Sequence, residues 1–351
     1  MRGKGGLGLY QRGLTLVELM VALVLAFIVI GAVYRTFTSQ QRTYSIQDQV
    51  AEAQQNARVA VNILMRDLRM AGYGKPKGDV QIGGETYSHN IDVQRGANEE
   101  DPDTIILVGC FGSPKGYLTK TADKDDGEIT VKSTGNELNE IFDSARSDYI
   151  FIGGMEKLRV TAAPGSEEGI LTLNGFLAKR YPTGVLSGSV DPGATQIPLK
   201  STESLRAGDI LFLGQDRLIV RDVGTNTITI DIDPDLAGNQ GISGDHSEGT
   251  FVNPIPVYRL TALEYSIEID NSHPQRPIPF LSRNDKAEGN LKRKLAEYIE
   301  KLEVTPDDQD DQSLYTLRLT ARTRVQDPDY REENDGYRRR VLESQVRLRN
   351  L

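Results

Sequence analysis

The chain has 351 residues, of which 38% are hydrophobic and 26% are charged, and this composition excludes wholesale disorder. Lys and Arg number 41 against 50 Asp and Glu, and the resulting net charge of -9 disfavours nucleic acid as a partner because its phosphates would be repelled. The chain has one cysteine, Cys110, which excludes an intrachain disulfide. Together with three isolated histidines, it provides little material for a metal site or a histidine-based relay, so we expect no metal and no other cofactor.

The N-terminal region consists of a short basic leader, residues 1–13, and an apolar stretch at 14–34 that contains one charge, Glu18. About 20 apolar residues suffice for a helix to span a bilayer, whereas a secretory signal peptide has a shorter apolar region. A plain signal anchor would explain the stretch but not the carboxylate, since an acid inside the membrane costs roughly 2.5 kcal/mol or more. We therefore expect a spanning helix in which Glu18 has a functional partner; an acid at the membrane interface is the alternative.

The sequence Gly13-Leu14-Thr15-Leu16-Val17-Glu18-Leu19 behind this leader resembles the cleavage and methylation motif of type IV prepilins and of the pseudopilins of type II secretion. The resemblance implies that a prepilin peptidase cuts after Gly13 and that the new amine of Leu14 is N-methylated. Phe is the commonest residue at that position, so Leu14 is a variant. The resemblance also implies that Glu18 neutralises this amine on a neighbouring subunit and sets the register between helices. The leader would then be cytoplasmic, with a periplasmic head that later reaches the pilus at the cell surface.

An amphipathic pattern continues beyond the membrane segment. Apolar residues recur at steps of three and four and define the helix stripe: Ile46, Val50, Ala53, Ala57, Val61, Leu64 and Leu68. No proline occurs from residue 14 to residue 75, and Gly72, Gly74 and Pro76 supply a stop signal. The sequence therefore predicts one helix over 14–72, membrane-spanning at 14–34, whose stripe docks under a globular head.

The sequence of the head, residues 73–351, predicts a β-rich structure. Short apolar runs occur at 103–110, 148–153 and 169–173, and apolar and polar residues alternate at 263–270, 315–325 and 342–349, as in half-buried antiparallel strands. A segment at 188–254 has strands at closer spacing, as in a small β-barrel or sandwich, and we interpret it as an insertion. The segment 290–302 has the spacing of a short amphipathic helix that runs into a strand. The expected fold class is α+β, a long helix packed on an antiparallel sheet with an inserted β subdomain.

Candidate sites in the head are weak. Asp231, Asp233 and Asp235 begin like an EF-hand loop, but the glycine and glutamate that the loop requires are missing. The acidic residues at 307–311 indicate a solvated hairpin tip. Cys110 ends an apolar strand and is expected to be a buried hydrophobe. We recognise no catalytic constellation, so the sequence predicts a protein that is not an enzyme.

Segments near both ends of the chain resemble PilW-type minor pilins, namely 57–60, 66–73, 302–305, 317–323 and 346–350. The resemblance implies a subunit that assembles into or primes a type IV pilus in an initiation or tip complex. Its implied partners are the prepilin peptidase, other minor pilins, the major pilin and the inner-membrane assembly platform. Two alternatives stay open. One is a minor pseudopilin of type II secretion, and the other is a membrane-anchored periplasmic binding module or enzyme.

Overall fold

The structure, a computed structural model, describes residues 15–98, 100–142, 149–231, 242–272, 277–289, 291–307, 313–331 and 335–349. Its helices are α1 (Leu16–Met70) and α2 (Leu138–Ile141), and a 3-10 turn covers Lys286–Glu288. The strands are β1 (Val80–Ile82), β2 (Glu85–Tyr87), β3 (Ile91–Gln94), β4 (Thr104–Gly109), β5 (Gly116–Leu118), β6 (Glu128–Ser133), β7 (Tyr149–Ile152), β8 (Glu156–Ala162), β9 (Glu168–Leu173), β10 (Gly184–Val185), β11 (Gln196–Pro198), β12 (Ile210–Leu213), β13 (Asp216–Gly224), β14 (Thr227–Asp231), β15 (Phe251–Val252), β16 (Pro256–Arg259), β17 (Thr261–Asp270), β18 (Ile278–Asp285), β19 (Leu291–Glu297), β20 (Ile299–Pro306), β21 (Leu314–Arg322) and β22 (Arg339–Arg347). A long N-terminal helix followed by antiparallel sheets is the α+β, pilin-like fold that the sequence predicts.

The helix α1 has 55 residues and ends where the glycines begin. Gly72 and Gly74 adopt φ angles of 79° and 76°, a left-handed conformation that few other residues tolerate. A Cβ atom on Gly74 would lie 2.6 Å from the Cys110 sulfur, so this position also lacks the space for a side chain. The main-chain N–H of Gly72 donates to the carbonyl of Val108 at 2.8 Å, which fixes the chain to β4 directly after the helix.

The chain divides into two compact units. The first comprises the described residues up to Gln55 together with Arg322–Arg340, and the second comprises Asn56–Ala321 with Val341–Leu351. In the first unit, the side-chain oxygen of Gln49 accepts a hydrogen bond from the N–H of Val325 at 3.0 Å. The segment after β21 is therefore fixed to α1.

The second unit contains a five-stranded antiparallel sheet in the order β19-β18-β17-β4-β3, and the strands β20, β21 and β22 form a further sheet. The core residues of α1 in this unit include Ala57, Leu64 and Leu68, whose side chains are fully buried. The side-chain amide of Asn56 donates to the main-chain oxygen of Glu297 at 3.4 Å. The helix thus lies on the sheet through its apolar side.

A closed barrel follows in the order β16-β5-β6-β9-β8-β7. Its last strand along the chain, β16, completes the barrel by pairing with β5 on one side and β7 on the other. Buried aliphatic and aromatic side chains fill the interior, among them Leu118, Val131, Ile150, Leu171 and Val257.

Between β10 and β15 the chain forms a four-stranded antiparallel sheet in the order β11-β14-β13-β12. It has its own apolar cluster, which includes Leu199, Leu211, Leu218 and Ile228. The small barrel or sandwich that the sequence predicts here stays a prediction. On the β11 side of the sheet, the N–H of Lys200 donates to the carbonyl of Val185 at 2.8 Å, and on the β12 side, the N–H of Asn253 donates to the carbonyl of Phe212 at 2.5 Å, so both sides of the described sheet are bonded to the chain around β10 and β15. The strands β10 and β15 pair with each other at the base of this segment.

The short helix predicted at 290–302 is wrong, whereas the strand predicted to follow it is present as β20. Residues 291–297 form β19, and Tyr298, with a φ of 61°, separates it from β20. Spacing at 291, 295 and 299 fits a helix, but β19 pairs along β18 and completes the sheet instead. The ammonium of Lys294 also lies 2.9 Å from a carboxylate oxygen of Asp270 on β17. Tertiary pairing overrides local periodicity here.

Candidate functional site

The processing residues Gly13 and Leu14 lie outside the described residues. The described chain begins one residue later, at Thr15, which caps α1. The Thr15 N–H and its hydroxyl both donate to Glu18 Oε2 at 2.9 Å, and the Glu18 N–H donates to Thr15 Oγ1 at 3.3 Å. This reciprocal pair is a capping box, which satisfies main-chain N–H groups that a helix leaves without partners in its first turn.

The capping box determines where the Glu18 carboxylate lies. Both hydrogen bonds end on Oε2, and the residue is exposed, so Oε1 can accept a further donor. A carboxylate in the first turn also interacts favourably with the positive end of the helix dipole. Glu18 therefore presents a fixed negative charge at the helix end that follows Leu14.

The first half of α1 is apolar and exposed. Leu16, Phe27 and Tyr34 have exposed fractions of 75%, 68% and 67%. Within the part of the chain that the structure describes, α1 is the helix with the length and composition to cross a membrane. Apolar side chains exposed along such a length require a nonaqueous environment or a partner helix.

The helix stripe changes in burial along its length. In the first unit Ile46 and Val50 are half-buried and Ala53 is buried. In the second unit the remaining members, Ala57, Val61, Leu64 and Leu68, are buried with exposed fractions of 5% or less.

A polar anchor joins the helix to the sheet in the second unit, and the sequence analysis missed it. The Tyr265 hydroxyl on β17 donates to Asp67 Oδ2 at 2.5 Å, and the Arg283 guanidinium on β18 lies 3.5 Å from the same oxygen. Asp67 is buried. The pKa of Tyr265 is raised well above its usual value, mainly because Tyr265 is itself buried and secondly because the Asp67 carboxylate lies beside it. The one available signal was an aspartate beside Leu68 in an otherwise apolar helix face.

A second anchor lies in the first unit. The buried carboxylate of Asp327 lies 2.9 Å from the Arg42 guanidinium of α1 and 2.8 Å from that of Arg338. The hydrogen bond from Arg338 is the main cause that holds the pKa of Asp327 below its usual value. In the same unit, the Arg322 guanidinium at the end of β21 lies 4.0 Å from the ring centre of Tyr337, a cation–π contact.

The candidate metal-binding and thiol residues of the head are placed only in part. The described residues contain no cluster of three or more histidine, cysteine or carboxylate groups that could hold a metal ion. Asp233, Asp235 and the acidic residues at 308–311 lie outside the described residues. Cys110 is buried as the sequence predicts, and burial raises the pKa of its thiol to about 12.

Comparison with known proteins identifies the N-terminal region. Residues 9–34 match the family model of the prokaryotic N-terminal methylation motif. A search of curated proteins finds no match to the chain. The motif supports a type IV pilin-like protein of a pilus or of type II secretion, and it points to a structural pilin rather than an enzyme. It implies processing by a prepilin peptidase, and the motif and helix together fit anchoring in the inner membrane with a periplasmic head.

Proposed function

We propose that the chain is a minor pilin of the PilW kind that assembles into or primes a type IV pilus. The observation that carries this proposal is the match of residues 9–34 to the methylation motif. Within that segment, Glu18 lies on the first turn of an exposed apolar helix, which supports the proposal. The prepilin peptidase would cut after Gly13, and the amine of Leu14 would be methylated.

Glu18 has the role of an assembly residue in this proposal. A cationic amine cannot remain unpaired among packed apolar helices, because an isolated buried charge is strongly penalised. The carboxylate of a neighbouring subunit's Glu18 supplies the opposite charge. Since Oε1 is not used by the capping box, it can accept from that amine while Oε2 stays bonded to Thr15.

The head supports a low-copy position in an initiation or tip complex. A shaft subunit must repeat the same contacts at every helical step, which favours a compact and uniform head. Here a four-stranded sheet with its own core lies between β10 and β15. At a tip or initiation site only part of the head meets other minor pilins, the major pilin and the assembly platform, so such an addition is tolerated.

The test deletes the gene in the host and complements the deletion with the wild type, with Glu18→Gln or with Glu52→Gln. Glu52 is an exposed carboxylate on the same helix and provides a matched control. We expect pili to be lost on deletion and restored by wild type and Glu52→Gln, with only trace amounts of the protein in sheared filaments by quantitative proteomics. Normal pili with lost protein secretion would assign the chain to type II secretion instead. A copy number equal to that of the major pilin would contradict the tip or initiation role.

A further inference from the structure

A polar cleft opens in the second unit between the barrel and the five-stranded sheet. It consists of two neighbouring cavities of about 690 and 310 Å3. Both are lined by Lys115, Thr134, Arg259, Glu288 and Arg293, so they meet at these side chains. Cavities of roughly 300 to 1,000 Å3 are the size that holds small ligands.

Arg259 is the central group of the cleft. Its side chain is only 6% exposed, and Nη1 donates to the main-chain oxygen of Ile141 at 2.9 Å. Within the described chain, Nε and Nη2 have no hydrogen-bond partner. The nearest acids are more distant than a hydrogen bond, since Nη2 lies 3.6 Å from Glu288 Oε1 and 3.9 Å from Asp285 Oδ2. Buried guanidinium N–H groups without hydrogen bonds raise the free energy of the folded protein unless an acceptor binds to them.

Two further cations approach the same place. The ammonium of Lys115 lies 3.4 Å from Glu288 Oε1, and the Arg293 guanidinium lies 3.1 Å from Glu288 Oε2. Glu288 is half-buried, and three cations share it: Arg259 on β16, Arg293 on β19 and Lys115 directly before β5. Glu140 also lines the wider cavity, but it has no ion pair with these cations among the described residues. The Glu288 carboxylate occupies the position of an anionic ligand without satisfying Arg259.

Neutral hydrogen-bonding groups surround this charged centre. Thr134, Asn136 and Asn139 line the wider cavity beside Arg259. Amide and hydroxyl side chains both donate and accept, so they suit the polar groups next to an anion on a larger molecule. Planar guanidinium groups match the oxygens of carboxylate and phosphate.

We propose that this cleft binds a ligand through a carboxylate or phosphate group held between Lys115, Arg259 and Arg293. The ligand oxygens accept hydrogen bonds from Nε and Nη2 of Arg259. The Glu288 carboxylate turns away, because it competes for the same cations. The site is independent of the assembly role of α1. The shared chemistry is the oxyanion, and either an acidic sugar or inorganic phosphate would supply it.

The experiment measures binding to the full-length protein in detergent at low salt by isothermal titration calorimetry. The probes are inorganic phosphate, glucuronate and glucose, where glucose is the neutral counterpart of glucuronate. Lys115→Gln and Arg293→Gln should each weaken oxyanion binding about tenfold, because each removes a charged donor. Glu288→Gln should tighten binding about tenfold, because it removes a competing negative charge. Lys124→Gln, at an exposed barrel position away from the cleft lining, should leave binding unchanged.

The opposite signs of these effects separate a binding site from a structural ion-pair cluster. Binding of phosphate alone assigns the site to phosphate, binding of glucuronate alone assigns it to an acidic sugar, and binding of both assigns it to the oxyanion itself. Equal binding of glucose and glucuronate would overturn the proposal. So would weaker binding in Glu288→Gln, or the absence of phosphate and glucuronate binding in both the wild type and that variant. Circular dichroism melts of each variant verify that the chain remains folded.

Discussion

Thr15 and Glu18 exchange hydrogen bonds in both directions across the first turn of α1. The same carboxylate that we assign to subunit assembly therefore also caps its own helix. The two roles are separable, because the cap needs an oxygen acceptor whereas pairing with an amine needs a negative charge.

Glu18→Gln and Thr15→Val should have different consequences. Glu18→Gln keeps an oxygen for Thr15 but loses the charge, so we expect a protein that is inserted and cleaved but poorly incorporated into filaments. Thr15→Val loses the capping oxygen, at a cost of about 1 kcal/mol, and keeps the charge, so incorporation should stay near the wild-type level. The measurement is the ratio of filament to membrane protein by immunoblot. Equal incorporation of Glu18→Gln and wild type would make Glu18 only a capping residue.

Processing gives a direct mass-spectrometric prediction. The mature protein should begin with N-methyl-Leu14, and the leader through Gly13 should be absent. Peptide sequencing of the membrane fraction tests this, with a host lacking the prepilin peptidase as the control. An intact Met1 on assembled protein would refute the prepilin interpretation.

Tyr265→Phe should destabilise the second unit by about 1.5 to 3 kcal/mol, because a buried carboxylate loses a hydrogen-bond donor. The shape of the core is otherwise retained. Tyr315→Phe, at a buried tyrosine on β21, is the matched control. Urea unfolding followed by circular dichroism measures both, and an equal effect of the two substitutions would show that Asp67 does not depend on Tyr265.

The Asp327 anchor should weaken in acid. Arg338 holds the pKa of Asp327 below its ordinary value, so its contribution to stability is present above about pH 4 and is lost as the pH falls below that value. We expect faster hydrogen exchange of the amides of Val325 and Asp327 in acid, after correction for intrinsic rates. Asp327→Asn should show this faster exchange already at neutral pH. Asp329→Asn, at a 78% exposed carboxylate, should change little, and similar exchange in both variants would contradict the anchor.

Cys110 should be inert in the folded protein. Its thiol is buried, and a pKa of about 12 leaves little thiolate at pH 8. A maleimide reagent should label no thiol in the native chain and one thiol after denaturation. Rapid native labelling would show that the region around Gly74 and Cys110 opens readily.

Helix α1 was predictable because its signals are local. The absence of proline, the steps of three and four, and the glycines at 72 and 74 all act within a few residues of the backbone that they determine. The strands at 104–109 and 261–270 were predictable from apolar runs and alternation for the same reason. The segment 291–297 was not, because its periodicity fits two structures and only pairing with β18 decides between them.

The anchors and the cleft depend on residues that are distant in sequence. Asp67 meets Tyr265, and Lys115 meets Glu288, only because the sheets bring them together. Nothing in the local sequence of Arg259 distinguishes it from a surface arginine at a strand end. The sequence singles out the charge at Glu18, whose assembly role stays a proposal, whereas its bond to Thr15 follows from the helix boundary that the structure provides.

The pairing of Gly184 with Val252 has a consequence for the order of folding. The barrel is complete only when β16 pairs with β5 and β7. The chain between the earlier barrel strands and β16 is a loop, and bringing the two ends of a loop together has an entropic cost that rises with its length. Antiparallel partners lie about 5 Å apart, so once β10 and β15 have paired, the two ends of the intervening segment are already together. The four-stranded sheet has its own core and can form early, which lowers the entropic cost of bringing β16 to the barrel. We therefore infer that the barrel closes last, after the segment between β10 and β15 has folded.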